Sequence, residues 1–270
     1  MMRGSLHVHS TYCDGKSTLD ENVKAAIDKG FTYLGFSGHG HTTFDNRYCM
    51  SAENEAKYFA EVNYLREKYK DKIHILCGIE RDLLSDHFVH NYDYEIASVH
   101  YVKVGGKLYD VDGSAQEQQE CIDTCFGGDP YAYAEDYYKS VAQLKGDIIG
   151  HFDLLTKFDR RNEIFNPREE RYKKAALSAL EALLEKDSVF EVNTGAMSRG
   201  YKDTPYPDLW ILEEMKKRGA KIILTSDCHY APYLDYGYDM AEKMLLKLGF
   251  TDFYNIDFLD KGSLSTVGVK

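Results

Sequence analysis

Short apolar runs alternate along the chain with longer segments whose apolar positions recur every three or four residues. "SLHVH" (5–9) reads as a strand, and side chains two apart on a strand share a face, so His7 and His9 stand side by side. "STLDENVKAAIDKG" then opens with Ser17 and Asp20 in a capping pattern and closes at Gly30. "TYLGFS" is followed by a helix over 52–70. "KIHILCGIE" and "YEIASVH" are apolar runs bounded by polar residues, as buried parallel strands are. A helix near 131–145 leads to "GDIIGH". Another over 168–186, beginning after Pro167, leads to "SVFEVN". A helix near 207–218 leads to "AKIILTSD", and 236–248 is a last amphipathic helix. Longer inserts lie at 101–128, 152–167 and 194–206.

This alternation predicts an α/β protein with a parallel sheet. The number of βα units and the missing G-x-G-x-x-G turn favour a closed (β/α) barrel of the TIM type over a doubly wound sheet. No linker or low-complexity tract interrupts residues 1–270, so the expectation is a single domain.

In such a barrel the functional residues stand on one face, at the C-terminal ends of the strands. The first predicted strand ends in His7 and His9, with Asp14 just beyond. The second ends "FSGHGH", with His39 and His41; the third "CGIE", with Glu80; the fourth "ASVH", with His100. The fifth ends "IIGH", with His151; the sixth "EVN", with Asn193; the seventh "TSDCH", with Asp227 and His229. A chance distribution would not place His, Asp or Glu at nearly every strand terminus. Six imidazoles and three carboxylates are too many for one four-coordinate ion, so about two to three ions are expected. Imidazole with carboxylate suits Zn, Mn, Fe or Co. Clustered ions of this kind serve hydrolysis.

Composition narrows the partners. The net charge is −11 and the densest basic spot is only "KFDRR" (157–161), which argues against a nucleic-acid polymer and an anionic membrane surface. An anionic small molecule needs local positive charge, which divalent cations would supply. No apolar run approaches the roughly 20 residues that span a bilayer. The start "MMRGSLHVHS" lacks signal-peptide architecture, and the six cysteines form no C-x-x-C pair, so a cytoplasmic location is expected. Nothing here predicts an oligomeric state.

"HVHSTYCDG", the "GH" after the second strand, "GIE", "ASVH", "IGH" and "TSDCH" resemble, in order, the motifs of the polymerase and histidinol phosphatase (PHP) superfamily. Length and the segments "HFDLLTKFD" and "EVNTGAMSRGYKDTPYP" make the chain most similar to its stand-alone histidinol-phosphate phosphatases. The resemblance implies a distorted seven-stranded barrel with a trinuclear metal centre. It places His7, His9, Glu80 and Asp227 around the first ion, and Glu80, His100 and His151 around the second. Asp14, His39 and His229 would hold the third. Asp14 departs from the histidine that some relatives carry there, and a carboxylate hardens that site.

The expected reaction is hydrolysis of a small phosphomonoester, L-histidinol phosphate above all. A metal-bridging hydroxide, positioned with Glu80, would attack phosphorus in line while Asp227 or His229 protonates the leaving alkoxide. Arg160 and Arg199 lie in inserts on the catalytic face, where guanidinium forks match phosphate. Arg161 is a weaker candidate; His41 and Asn193 join the expected substrate contacts. His74, His87 and His90 read as structural, Cys228 as packing, and Cys121 with Cys125 as a helical pair without metal partners. The competing readings are a nucleotide or other small phosphoesterase, an amide hydrolase, and a non-catalytic metal-binding module.

Overall fold

The computed structural model describes residues 3–86 and 90–256. Its strands, in chain order, are β1 (Gly4–Ser5), β2 (Tyr33–Phe36), β3 (His74–Asp82), β4 (Tyr94–Ser98), β5 (Tyr101–Val104), β6 (Lys107–Asp110), β7 (Ile148–Ile149), β8 (Val189–Asn193) and β9 (Lys221–Thr225). The helices are α1 (Leu19–Asp28), α2 (Ala52–Tyr69), α3 (Ala115–Cys125), α4 (Pro130–Val141), α5 (Glu170–Leu184), α6 (Gly195–Ser198), α7 (Leu209–Lys217) and α8 (Tyr238–Lys247).

Seven strands pair in the order β1-β2-β3-β4-β7-β8-β9, and every neighbouring pair is parallel. The barrel closes where the first and last strands have already run out. The His9 amide donates to the Cys228 carbonyl at 2.9 Å and the Cys228 amide to the His7 carbonyl at 3.1 Å. β1 is therefore shorter than the pattern at 5–9 suggests, and the seam runs through the residues that the sequence marks as chemical.

Inside the barrel, Leu6, Leu76, Ile96, Ile148 and Ile223 form one apolar cluster around Tyr94. The Tyr94 ring occupies the space over Gly35 and Gly78, where an added Cβ would lie 2.4 Å and 2.2 Å from ring atoms or the hydroxyl. Its hydroxyl donates to the carbonyls of Leu6 and Phe36, which satisfies a buried polar group. A second, larger core lies between the outer strand faces and the helices, where Ile75, Cys77 and Phe190 meet Val62, Leu65, Leu180 and Leu212. The interior plug leaves only the C-terminal end of the barrel open to chemistry.

Two local features add to or differ from the sequence reading. The α1 cap is Thr18, not Ser17: the Glu21 amide donates to the Thr18 hydroxyl, and the Thr18 amide to the Glu21 carboxylate at 2.8 Å. Ser17 is buried and accepts from the Ala231 amide, while Asp20 pairs with Lys24 and Lys68. The insert at 101–128 is structured as the antiparallel hairpin β5–β6 followed by α3. Among the described residues, no helix is long and apolar enough to cross a membrane.

Candidate metal centre

All nine proposed ligands at the strand ends come together, and Glu80 stands at their middle. Its Oε2 lies 3.1 Å from His7 Nε2, 3.5 Å from His9 Nε2 and 3.0 Å from His39 Nδ1. Its Oε1 lies 3.1 Å from His151 Nε2 and 3.4 Å from His100 Nε2. Asp227 Oδ1 is 3.2 Å from His9 Nε2 and 3.6 Å from His7 Nε2. Asp14 Oδ2 is 3.0 Å from His229 Nε2, and Asp14 Oδ1 is 3.8 Å from His39 Nε2. The imidazoles of His7 and His9 stand side by side with centroids 5.0 Å apart, as the H-x-H spacing predicts.

Three sets of ligand atoms are close enough to share an ion: His7, His9 and Glu80; His39, Glu80 and His100; and His9, Asp14, His39 and His229. The expected third set thus gains His9, the second takes His39 in place of His151, and the first comes without Asp227. The fit to a cation rests on polar atoms without partners. His7 Nε2, His9 Nε2 and Glu80 Oε2 are buried and make no hydrogen bond, although they converge on one another. Leaving three such atoms unpaired costs several kcal/mol by order of magnitude, about 1–3 each, and a divalent ion removes that cost. Burial by itself would raise the Glu80 carboxyl, but the imidazoles of His7, His39 and His100 outweigh it and hold the group well below its usual range. Asp227 is likewise held low against burial, by Arg199 and His7. Both are anionic donors.

Around this centre lies a braced shell that the strand-end motifs did not reveal. Glu191, fully buried on β8, accepts from His7 Nδ1 at 2.6 Å, from the Thr225 hydroxyl at 2.6 Å and from the His151 amide at 2.8 Å. This fixes which His7 nitrogen faces the centre. The only signal in the sequence is a glutamate inside the apolar run "SVFEVN". Asp82 accepts from the His100 amide at 2.6 Å, and the Ser98 hydroxyl donates to Glu80 at 2.7 Å.

Asp227 itself is held in an uncommon backbone conformation, φ +43°. Gly195 makes room for it: a Cβ there would stand 2.6 Å from Asp227 Oδ2.

A cavity of about 260 Å³ opens above the cluster, lined by Asp14, His39, Glu80, His100, His151, Asp227 and His229 on its floor. Arg199 reaches in from the 194–206 insert, with Nη2 3.0 Å from Asp227 Oδ2 and Nη1 2.8 Å from His229 Nδ1. Three expected substrate contacts are not brought there. Arg160 pairs bidentately with Asp203 on the exposed rim and is not among the lining residues; Lys157, three residues earlier, is. Asn193 is fully buried and donates to Glu191 and Asp227, so it braces a carboxylate. The His41 ring lies on the Met50 carbonyl, its backbone amide donates to the Glu55 carboxylate, and the residue is not in the lining. Arg161 is exposed.

His74 opens β3 at the far end of the barrel, and His90 stacks on Phe59 at 4.8 Å. His87 lies outside the described residues. Cys228 is buried at the seam.

Parallel barrel and convergent histidine–carboxylate cluster together define a metallo-barrel built for divalent ions. The chain belongs to the PHP domain family, whose model matches residues 5–195; Asp227 and His229 lie beyond that match. The histidinol-phosphatase of Bacillus subtilis (strain 168) is 26% identical, over 88% of this chain and 98% of its own. Two solved structures share the fold. A chain from Listeria monocytogenes gives a TM-score of 0.74 at 19% identity, over 88% of this chain and 99% of its own. Histidinol phosphate phosphatase from Lactococcus lactis, solved with Zn, L-histidinol and phosphate, gives 0.64 at 22% identity, over 93% and 95%.

Proposed function

We propose that this chain is a metal-dependent phosphomonoesterase that hydrolyses L-histidinol phosphate to L-histidinol and phosphate, working as one PHP-type unit over residues 1–270. The observation that carries the reaction class is the convergence of six imidazoles and three carboxylates at and beneath the floor of a cavity whose wall holds Arg199 and Lys157. The substrate is supported by the relative named above, which aligns over nearly its whole length. A cavity of about 260 Å³ also suits a small ester better than a nucleotide.

His7, His9, Asp14, His39, Glu80, His100, His151, Asp227 and His229 would hold about two to three divalent transition ions, with Glu80 shared between neighbouring sites. When bound, such ions stabilise charge on phosphoryl oxygens and make water nucleophilic at neutral pH. The rest falls to the chain. Arg199 presents its guanidinium fork to the phosphate. Lys157 supplies the second cation expected of Arg160. Asp227 and His229, tied together by Arg199, are the titratable pair to which we assign proton return to the leaving alkoxide.

The test is to purify the protein with its metals retained, count them by elemental analysis, and assay a panel of phosphomonoesters that includes histidinol phosphate and nucleotides. Two or more ions per chain with preference for histidinol phosphate are expected. Less than one ion per folded chain, or a nucleotide as the best substrate, would overturn the assignment.

A further inference from the structure

The cations proposed to take the phosphate come from different inserts, Lys157 from 152–167 and Arg199 from 194–206. These inserts meet at the rim of the cavity, at its wall and beneath it. At the rim Arg160 pairs with Asp203, both more than half exposed, and an ion pair in water fixes little. At the wall the Lys157 ammonium lies 4.8 Å from the centre of the Tyr201 ring. Beneath both, Lys202 is buried. Its Nζ donates to the Thr156 hydroxyl at 2.7 Å and to Asp208 at 2.8 Å, and lies 5.1 Å from the centre of the Tyr206 ring.

Each end of this deepest contact is firmly held. Thr156 donates its own hydroxyl hydrogen to the Asp153 carbonyl at 2.9 Å, and the Lys157 amide donates to the Leu154 carbonyl at 2.9 Å. Lys157 is thus fixed to the turn that Lys202 grips. On the other side the amides of Tyr201 and Lys202 donate to the Ala196 carbonyl, at 2.9 and 3.4 Å, which closes the chain around Arg199. Asp208 is anchored in turn, its amide donating to Asp153 Oδ2 at 2.9 Å. Burying an ammonium is costly unless it is paired, and in a low dielectric its hydrogen bonds hold their partners in one register. Lys202 does not line the cavity, so it reaches the substrate only through other residues.

We infer that Lys202 is a positioning residue whose buried ammonium ties the two inserts together, so that Arg199 and Lys157 grip the substrate phosphate as one clamp. The exposed Arg160–Asp203 pair joins the same inserts but lies in solvent, where it can open without disturbing the register below. This rests on the phosphomonoesterase reading above and adds what sets the spacing of its two phosphate cations.

The test reads phosphate affinity apart from chemistry. Inorganic phosphate is titrated into the metal-loaded protein by calorimetry, and histidinol phosphate is assayed by steady-state kinetics. Lys202→Met should weaken phosphate binding about 10- to 100-fold and raise KM by a similar factor, the scale of a misplaced contact. The ion count should stay the same and kcat should fall less than about threefold. Lys202→Met/Asp208→Asn leaves no buried carboxylate without its cation; it should show the same loss, and it serves if the single variant does not fold. In an Arg199→Met/Lys157→Met background, Lys202→Met should cost less than about threefold in kcat/KM, because the clamp it acts through is gone. Unchanged phosphate affinity in Lys202→Met, recovery in Lys202→Met/Asp208→Asn, or an equal loss with and without the clamp would each overturn this inference and leave the phosphatase reading standing. If the parent binds phosphate but hydrolyses no ester, the phosphatase reading fails while calorimetry still decides the clamp. A parent that does neither would sink both.

Discussion

Arg199 shows how one side chain serves two neighbours. Its fork holds Asp227 and His229 while facing the cavity, so removing it takes away a phosphate contact and loosens two proposed ligands. Arg199→Met should lower kcat/KM about 10- to 200-fold at saturating metal. Arg199→Lys should restore only part of this, since an ammonium keeps the charge without the fork; steady-state kinetics decides. Glu191 does not itself line the cavity, yet it carries the orientation of His7, His151 and Asn193. Glu191→Gln should weaken metal binding about 10- to 100-fold, the usual scale for a group that orients a ligand. Titration with a competing chelator would read it, and unchanged affinity would show that His7 needs no brace.

At the scale of elements, the strand ends set the precision of the centre and the helix caps set only stability. Gly195 opens α6 directly against Asp227, so Gly195→Ala must push the carboxylate away from the cluster. At least about a tenfold loss of metal affinity, or ~1.4 kcal/mol, is expected. Thr18→Ala removes the capping box of α1, whose residues Thr18 and Glu21 do not line the cavity. It should cost about 0.5–2 kcal/mol in denaturant unfolding and leave kcat/KM as it was. Similar effects of the two variants on catalysis would contradict this division.

For the whole molecule, the centre couples metal, protons and folding. Burial would depress the imidazole of His7, but Glu191, Glu80 and Asp227 overcome it and raise its pKa well above 6.5; Glu80 and Asp82 do the same for His100. Without metal, both rings therefore hold protons at neutral pH, and an ion must displace them. Calorimetric titration at pH 7 should show proton release, as heats that vary with the buffer's ionisation enthalpy; buffer-independent heats would contradict it. The signs for stability run opposite ways. The raised imidazoles stabilise the metal-free fold below about 6.5 and lose that contribution as pH rises through their folded values. The depressed carboxyls of Glu80 and Asp227 stabilise it above their ordinary values of 4.5 and 3.8, and that contribution fades as pH falls toward their folded values. His9 works the other way, since burial and the neighbouring imidazoles of His229 and His39 lower it to about 3 and its neutral ring loses stability as pH falls below 6.5. The metal-free protein should therefore melt highest near pH 6.5, and metal should abolish the alkaline decline.

The sequence by itself determined the barrel and the floor of the site. Hydrophobic period marks strands and helices locally, and parallel βα order forces every strand end onto one face, so His7, Glu80 and Asp227 could be grouped without coordinates. The resemblance added how the ligands would be shared. Tertiary structure decided what surrounds them. Glu191 and Asn193 sit two residues apart on one strand, and only the pairing of β8 with its neighbours shows that both point at ligands. Arg160 and Lys157 are equally basic in the sequence; whether a loop charge enters the cavity depends on its partner, and Asp203, distant in the chain, takes Arg160 aside. The far wall, where Arg47 and Lys157 pair with Asp110 and Asp112, arises from contacts between the 42–47 loop, the hairpin and the 152–167 insert, which no local pattern encodes. Ligands that end regular strands inherit their direction from the backbone period, whereas residues on inserts take theirs from long-range pairing.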